Sequence, residues 1–503
     1  MIKINKKAFT LVEMVVVIVV IGILTTIAVV AVQNSRRGVR DAKRVADIKQ
    51  IQTALRLYYN NVGSYPELAS ITASNTIAYN GIVYMSDFPQ APTPADGDCN
   101  SSNNEYIYSP SGTNNSSYQI SFCLGGQIAS LSQGEKCAIP NGIMTTACSG
   151  QESSSVSFTK FHNFDDIDGK YPYGSLTVYN DIFYGMTVEG GTNNCGKIFK
   201  INPDGTGFTK LHDFDDTNGR NPYGDLVVYN DVLYGTTNRG GTNDMGTIFK
   251  INPDGSEFTK LYDFDNTNGS NPYGDLIVYN DIFYGMIESS IGSIYGTIFK
   301  INPDGTDFTK LHDFDNTNGK FPNGDLVVYN DVLYGMTKDG GNDDFGVIFK
   351  INPDGSEFTK LYDFDSTNGR DPYGSLIVYN NVLYGMAEDG GDNDYGTIFK
   401  INPDGKGFTK LHDFDNTNGK WPNGDLVVYN DVLYGMTKDG GNDDMGTIFK
   451  IDPDGIDFTK LHDFDNTNGS NPYGDLIIYN DTFYGMTSYG GTYDFGTIFS
   501  FGF

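Results

Sequence analysis

The sequence predicts two domains: an N-terminal α+β domain with a long transmembrane helix, and an all-β seven-bladed β-propeller closed by pairing of its first and last strands. An apolar run of 24 residues lies near the N-terminus, and a 50-residue segment later recurs seven times. The negative charge is confined to the recurring part. Residues 1–150 carry 11 basic and 9 acidic side chains, whereas residues 151–503 carry 23 and 54. So acidic a domain should repel nucleic acids and anionic lipids.

The chain opens with a short basic leader, residues 1–8, followed by the apolar run at residues 9–32. As an α-helix this run measures about 36 Å, against roughly 30 Å of bilayer hydrocarbon. It is too long for the apolar part of a secretory signal peptide, and no small-residue cleavage site follows it. We therefore predict a membrane helix that continues to about residue 60, where Gly63 and Pro66 would end it.

Residues 7–13, with the sequence KAFTLVE, resemble the prepilin motif of type IV pilins and type II secretion pseudopilins. The resemblance implies that a prepilin peptidase cleaves between Ala8 and Phe9 and methylates Phe9. It also implies that Glu13 pairs with the N-terminal amine of a neighbouring subunit, which fits the high cost of an unpaired carboxylate in lipid. The sequence departs from the family at Ala8, where Gly is usual, and at Val30, where many pilins have Pro.

Residues 9–150 are accordingly predicted to form a pilin or pseudopilin domain, in which a small sheet packs on the long helix. Four cysteines fall in this domain, and an exported domain permits disulfides. Four cysteines allow three pairings. The local choice is Cys99–Cys123 and Cys137–Cys148, and the alternative is that all four are buried thiols.

The second domain, residues 157–503 after a linker at 151–156, is defined by the tripeptide Phe-Thr-Lys. The tripeptide recurs every 50 residues, at Phe158, Phe208, Phe258, Phe308, Phe358, Phe408 and Phe458. Such a period predicts a solenoid or a propeller. Four strand-like segments in each unit favour the propeller. The domain starts with the last strand of a unit and ends with the third, so pairing its two ends would leave no open edge.

The repeats also resemble a named family, the GloVer tandem repeats of "choice-of-anchor" surface proteins. The matching text includes Leu-Tyr-Gly-Thr-Thr at 233–237, Gly-Thr-Ile-Phe-Lys at 246–250 and Pro-Asp-Gly at 253–255. This resemblance covers residues 157–503 and implies display outside the cytoplasm, with the pilin part as the anchor. It implies little about a ligand.

Two sets of residues are candidates for binding. Asp313, Asp315 and Asn318 resemble the start of an EF-hand loop and suggest Ca²⁺ as a cofactor. Their spacing differs by one residue from that of EF-hand ligands. The alternative is that they form turns. The second set occupies a position that varies between the repeats, where stacking and hydrogen bonding could hold a sugar or where the side chains only pack in loops. Its main members are Tyr171, Phe321, Asp371 and Trp421.

The predicted function is that of a non-enzymatic minor pilin or pseudopilin subunit of a type IV pilus or type II secretion-like machine. It would be a single-pass protein of the bacterial cytoplasmic membrane, with an extracytoplasmic head for a surface glycan or protein and with other pilin subunits as partners. No nucleic acid partner is expected. The alternatives are a structural surface spacer and a carbohydrate-active enzyme, which the near-identical repeats disfavour because an active site combines unlike residues.

Overall fold

The structure is a computed structural model. It describes residues 11–68, 71, 75–100, 103–111, 115, 117–128, 131–139, 142–144, 148, 157–265, 267–288 and 295–502. The chain divides into two compact units, Met1–Ser153 and Ser154–Phe503. Each unit is described by itself below.

The first unit contains the helix α1 (Leu11–Val62), which ends at Gly63. Gly63 has a positive φ of 80°, and its N–H donates to the Tyr59 carbonyl at 2.7 Å, which is a common way to end a helix. A two-stranded hairpin and a four-stranded antiparallel sheet follow. Their strands are β1 (Ile77–Tyr79), β2 (Ile82–Met85), β3 (Ile107–Ser111), β4 (Ser117–Leu124), β5 (Gly134–Ile139) and β6 (Gly142–Met144).

One face of α1 packs on this sheet. Ile48, Ile51 and Leu55 recur at helical spacing and are fully buried, in one cluster with Ile120 and Ala138 of the sheet. Each such side chain contributes about 1.5–3 kcal/mol by leaving water. Disulfides join Cys99 to Cys123 and Cys137 to Cys148, which are the two bridges that the local pairing predicts.

A second contact between the helix and the rest of this unit is polar. The Arg44 guanidinium is fully buried and lies 2.6 Å from Asp41 and 3.2 Å from Asp96. Asp41 also accepts hydrogen bonds from the N–H groups of Gly125 and Gly126, at 2.8 and 2.9 Å. The sequence shows Arg44 only as one of several basic residues that follow an apolar run, and gives no sign that it is buried.

The predicted transmembrane helix is not found. Within the part of the chain that the structure describes, no helix is long and apolar enough to cross a membrane. Among these residues α1 is the one helix, against 34 strands, so the described part of the chain consists mainly of β-structure.

The second unit consists of seven antiparallel sheets of four strands each. Sheets 1 to 3 are β8–β11 (Thr177–Tyr179, Ile182–Thr187, Lys197–Ile201, Thr209–Asp213), β12–β15 (Val227–Tyr229, Val232–Thr237, Thr247–Ile251, Thr259–Asp263) and β16–β19 (Ile277–Tyr279, Ile282–Ile287, Thr297–Ile301, Thr309–Asp313). Sheets 4 and 5 are β20–β23 (Val327–Tyr329, Val332–Thr337, Val347–Ile351, Thr359–Asp363) and β24–β27 (Ile377–Tyr379, Val382–Ala387, Thr397–Ile401, Thr409–Asp413). Sheet 6 is β28–β31 (Val427–Tyr429, Val432–Thr437, Thr447–Ile451, Thr459–Asp463), and sheet 7 combines β32–β34 (Ile477–Tyr479, Thr482–Thr487, Thr497–Gly502) with β7 (Ser157–Asn163).

Local sequence explains the shape of each sheet. Asn230 and Asp231 join β12 to β13 with φ values of 47° and 64°, as a type I′ turn requires. In the next pair of strands Gly235 lies opposite Phe249. A Cβ atom at Gly235 would lie 2.7 Å from the Phe249 ring, so the glycine makes room for this buried aromatic side chain.

The fold class predicted from the sequence needs correction here. β34 does pair with β7, with Phe501 opposite Phe158, but this pairing completes sheet 7 only. Among the described residues no β-ladder joins one sheet to the next, so the pairing does not produce a closed propeller. Neighbouring sheets meet through apolar side chains instead: Tyr184 of sheet 1 packs in one cluster with Leu233 and Phe249 of sheet 2.

Candidate ligand site at the loop ring

The loops that precede the first strand of each sheet are linked in a circle by hydrogen bonds. In each loop a backbone N–H donates to the side-chain oxygen of the equivalent residue one repeat further on. Asp425 N–H donates to Asp475 at 2.5 Å, and Asp475 N–H donates to Ser175 Oγ at 2.6 Å, which closes the circle. We call the seven residues the loop ring: Ser175, Asp225, Asp275, Asp325, Ser375, Asp425 and Asp475.

A glycine before each ring residue permits this close approach. A Cβ atom at Gly224 would lie 2.4 Å from Asp275 Oδ1, and one at Gly474 would lie 2.5 Å from the Gly174 carbonyl oxygen. Both distances are too short for any side chain, so the repeated Gly is required by contact between neighbouring loops.

The ring lines a pocket of about 80 Å³. The other side chains that line it come from the position two residues earlier in each repeat, which is Tyr in five repeats and Asn in two. The tyrosines contact one another around the pocket: the ring centroids of Tyr173 and Tyr473 are 4.3 Å apart, and those of Tyr223 and Tyr273 are 4.7 Å apart. The complete set at this position is Tyr173, Tyr223, Tyr273, Asn323, Tyr373, Asn423 and Tyr473.

Five carboxyl groups therefore share one small space. Loss of solvation, followed by repulsion from the other ring carboxylates, raises the pKa of Asp225 to about 8. Loss of solvation likewise raises the pKa of Asp325 to about 6 and raises the pKa values of Asp275, Asp425 and Asp475. The carboxylates accept hydrogen bonds from backbone N–H groups, and these bonds lower the pKa values without cancelling the rise.

Four residues of alternating charge lie near residues that line the pocket, and we call them the charged rim: Glu288, Lys338, Glu388 and Lys438. Lys338 Nζ lies 5.7 Å from the centroid of the Tyr373 ring, and Lys438 Nζ lies 5.1 Å from that of Tyr473. Burial raises the pKa values of Glu288 and Glu388.

Two buried acceptors in this region have no partner among the described residues. Asn323 and Asn423 are 5% and 3% exposed, and the Oδ1 atom of each lacks a hydrogen bond. Asn423 Nδ2 donates to Glu388 Oε1 at 3.0 Å. Because a carboxylate only accepts, this bond orients the amide of Asn423 and leaves its oxygen free.

The residues predicted to bind a sugar are not brought together by the structure. Tyr171, Phe321, Asp371 and Trp421 belong to different repeats, all have φ values between 55° and 57°, and all are half-buried. The N–H of Trp421 donates to the Tyr395 carbonyl of the preceding repeat at 2.9 Å, and the other three make the equivalent bond.

These four residues also differ in their surroundings. Tyr171 packs on Tyr489, with ring centroids 4.9 Å apart, whereas the ring of Trp421 is approached by Lys438 of the charged rim at 5.6 Å. Burial, together with Asp339 and Asp389, raises the pKa of Asp371 to about 6. None of the four lines the pocket, although Trp421 and Asp371 interact with Lys438 and Lys338 of the charged rim.

The residues of the calcium prediction form a turn. Asp315 Oδ1 accepts hydrogen bonds from the N–H groups of Thr317 and Asn318 at 2.8 and 2.9 Å, and Asp313 forms an ion pair with Lys310 at 2.6 Å. Over the described ranges no group of three or more His, Cys, Asp or Glu side chains could hold a metal ion. The turn alternative accounts for the contacts of Asp313, Asp315 and Asn318, and calcium binding stays a prediction.

The processing residues give no structural information. Ala8 and Phe9 lie outside the described residues, and Glu13 falls in α1 at a place where side chains are not described. Sequence reasoning missed the loop ring altogether. The signal that could have found it is the repeated Gly-Asp or Gly-Ser pair that follows Tyr or Asn in all seven repeats.

Comparison with known proteins identifies both parts of the chain. The family described as the Gloeobacter/Verrucomicrobia repeat matches residues 151–294, 282–391 and 368–502, and the chain belongs to this family. The prokaryotic N-terminal methylation motif matches residues 3–29. Together these matches indicate a pilin-like cell-surface protein. A search of curated proteins finds no match.

Solved structures share only distant similarity with the chain. An oligogalacturonate lyase in complex with manganese is 11% identical, with a TM-score of 0.47, and the match covers 70% of this chain and 94% of that one. A second oligogalacturonate lyase, from Vibrio parahaemolyticus, is 10% identical, with a TM-score of 0.43 and the same coverage. A chain of the nidogen/laminin complex is 16% identical, with a TM-score of 0.39, over 60% of this chain and 97% of that one. None of their activities is transferred to this protein.

Proposed function

We propose that the protein is a non-enzymatic minor pilin or pseudopilin subunit whose repeat unit binds a ligand outside the cytoplasm. The observation that carries the proposal is the presence in one chain of the methylation motif at residues 3–29 and the repeat family at 151–502. The motif supports processing by a prepilin peptidase and partnership with other pilin subunits. The two disulfides of the first unit agree with export, because such bonds persist in oxidising compartments.

The repeat unit supports the binding part of the proposal. Seven near-copies need no variation to build seven sheets, yet they differ where their loops meet. The position that forms the charged rim alternates between Glu and Lys in four successive repeats. The pocket has Asn323 and Asn423 where the other repeats have Tyr. Variation confined to a rigid, repeated scaffold is the pattern expected of a surface that selects a ligand.

The first test is of processing and assembly. The full chain is expressed with a type IV pilus or type II secretion system, and mass spectrometry is applied to its N-terminus. We expect a mature chain that starts at a methylated Phe9, and a Glu13→Ala variant that is cleaved normally but fails to enter filaments. A chain that keeps residues 1–8, or a Glu13→Ala variant that assembles like the parent, would contradict the proposal.

Immunogold microscopy of intact cells, with an antibody to residues 151–503, tests where the subunit is displayed. Sparse label on filaments supports a minor subunit of a pilus, and label confined to the cell envelope supports a pseudopilin. Dense label along every filament would contradict the minor role.

A further inference from the structure

The pocket at the loop ring is rich in hydrogen-bond acceptors, and the two nearby cations, Lys338 and Lys438 of the charged rim, lie against Tyr373 and Tyr473 without lining it. Five carboxyl groups line it, and none of its described lining residues is Lys, Arg or His. Each ring carboxylate accepts one backbone N–H through its Oδ1 atom, and a carboxylate has room for further donors. An enclosed group of like charges is costly unless protons or a bound cation compensate it.

Two further acceptors are unused. The Oδ1 atoms of Asn323 and Asn423 are buried beside the ring without a hydrogen-bond partner among the described residues. Leaving such an acceptor unpaired costs about 1–3 kcal/mol. Both residues stand where the other five repeats have Tyr, and the repeat that contains Tyr373 lies between them in the sequence, so these oxygens are particular to two separate places in the pocket.

The tyrosine rings supply the third component. Tyr173, Tyr223 and Tyr473 are in contact edge-to-face or with tilted rings, and they lie next to the carboxylates. Aromatic faces attract cations, by about 0.5–2 kcal/mol for each well-placed ring. Acceptors, negative charge and aromatic faces together complement a cation that carries N–H donors.

We propose that this pocket binds an organic cation with N–H donors, namely a primary ammonium or guanidinium group. The proposal rests on the proposed function, because it names the chemical class of ligand that the repeat unit would bind. A pocket of about 80 Å³ admits the end of a side chain or of a polyamine rather than a whole sugar.

A metal ion fits the pocket less well. A small ion needs several ligands within about 2.0–2.6 Å. The carboxylates are instead distributed around a circle of seven loops, and in the described residues no three of them are grouped closely enough to hold a metal. A guanidinium group has five N–H donors directed outward in one plane, which suits acceptors that are spread around an opening.

Isothermal titration calorimetry on the full chain in detergent tests the proposal. The probes are methylguanidinium, spermidine, tetramethylammonium and Ca²⁺, each as the chloride at constant ionic strength. We expect one site per chain for methylguanidinium or spermidine, with affinity at least tenfold above that of tetramethylammonium, which has the charge but no N–H donor. Absence of binding, equal binding of tetramethylammonium, or tighter binding of Ca²⁺ would overturn it.

A further titration, with a peptide as the probe, identifies the source of the cation. A short arginine- and lysine-containing peptide that binds more tightly than spermidine points to a protein side chain, and the reverse order points to a free polyamine. Both results support the pocket's chemistry.

The repeats themselves provide conservative variants. Asp225→Ser introduces the residue that two other repeats have in the ring, and Asn323→Tyr introduces the residue found in five repeats. We expect each to reduce affinity at least fivefold with little change in melting temperature. The control is Asp204→Asn, which removes one charge from an exposed turn and should leave affinity unchanged.

Wild-type affinity in both Asp225→Ser and Asn323→Tyr would show that the cation binds elsewhere and would overturn the proposal. Processing and filament entry are measured separately, so failure at the pocket is distinguishable from failure of the pilin role.

Discussion

Arg44 shows how one residue can secure the first unit. Its guanidinium is fully buried, and Asp41, Asp96 and Asn104 surround it, with Asn104 Oδ1 accepting a hydrogen bond at 2.8 Å. Removing one partner of a buried ion pair leaves an uncompensated charge and costs about 3–5 kcal/mol. We expect Arg44→Met to lower the free energy of unfolding of this unit by that amount, measured by urea denaturation under non-reducing conditions.

The matched control is Arg36→Met, which makes the same chemical change at an exposed position of the same helix. Its effect should stay within about 0.5 kcal/mol. Equal losses in the two variants would mean that the buried network around Arg44 does not stabilise the unit.

At the scale of elements, β7 is the strand on which the first and last parts of the repeat unit depend. Phe158 of β7 stacks on His462, with ring centroids 4.0 Å apart, and lies 5.0 Å from Phe499 of β34. Deleting residues 157–163 removes these contacts and exposes the edge of β34. We expect a lower melting temperature, by calorimetry, and self-association, by light scattering, because open strand edges pair with other chains.

Deletion of residues 151–156, which precede β7, is the control for shortening the chain. It should leave both the melting temperature and the monomeric state of the repeat unit unchanged. A stable monomer after loss of 157–163 would show that sheet 7 does not need its fourth strand.

The elements also show what the sequence can predict. The strand-like segments predict four strands in each repeat, because strands depend on local pattern, and the phase of the repeats predicts the pairing of β7 with β34. In the second repeat the first strand, β12, begins at Val227, because Asp225 belongs to the loop that forms the ring. The ring joins residues up to 300 positions apart, and no local pattern contains that information.

The predictions of a transmembrane helix and of a closed propeller were wrong for different reasons. The first rested on an apolar run near the N-terminus, and no helix of the described residues meets the requirement for a membrane span. The second assumed that pairing the two ends would close the whole unit, whereas it completes a single sheet. The four residues predicted from variability to bind a ligand are not brought together and do not line the pocket, and ligand binding by them stays a prediction.

At the scale of the whole molecule, the loop ring predicts an unusual dependence of stability on pH. The pKa of Asp225 is raised to about 8 and that of Asp325 to about 6, whereas both groups have pKa values near 4 when unfolded. The folded state therefore binds more protons than the unfolded state between these limits. This contribution to stability is fully present below about pH 4 and is lost as the pH rises through 6 to 8.

Other titratable groups limit the pH range in which the ring carboxyl groups determine how stability changes. Burial lowers the pKa values of the five histidines, for His162 to about 4, so they favour unfolding as the pH falls below about 6.5. Glu288 and Glu388 of the charged rim also have raised pKa values, and Lys338 and Lys438 oppose these shifts. Between pH 8.5 and 6.5 the carboxyl groups therefore determine how the stability of the repeat unit changes with pH.

We therefore expect the melting temperature of the repeat unit to rise as the pH is lowered from 8.5 to 6.5, and the rise to be smaller in an Asp225→Asn variant, whose amide oxygen can still accept the Ser175 N–H but does not titrate. Differential scanning calorimetry at constant ionic strength measures both chains. A saturating cation in the pocket should reduce the slope of the wild-type chain, because it compensates the ring in place of protons. A melting temperature that falls over this interval, or an unchanged slope in Asp225→Asn, would show that the ring is already compensated in some other way.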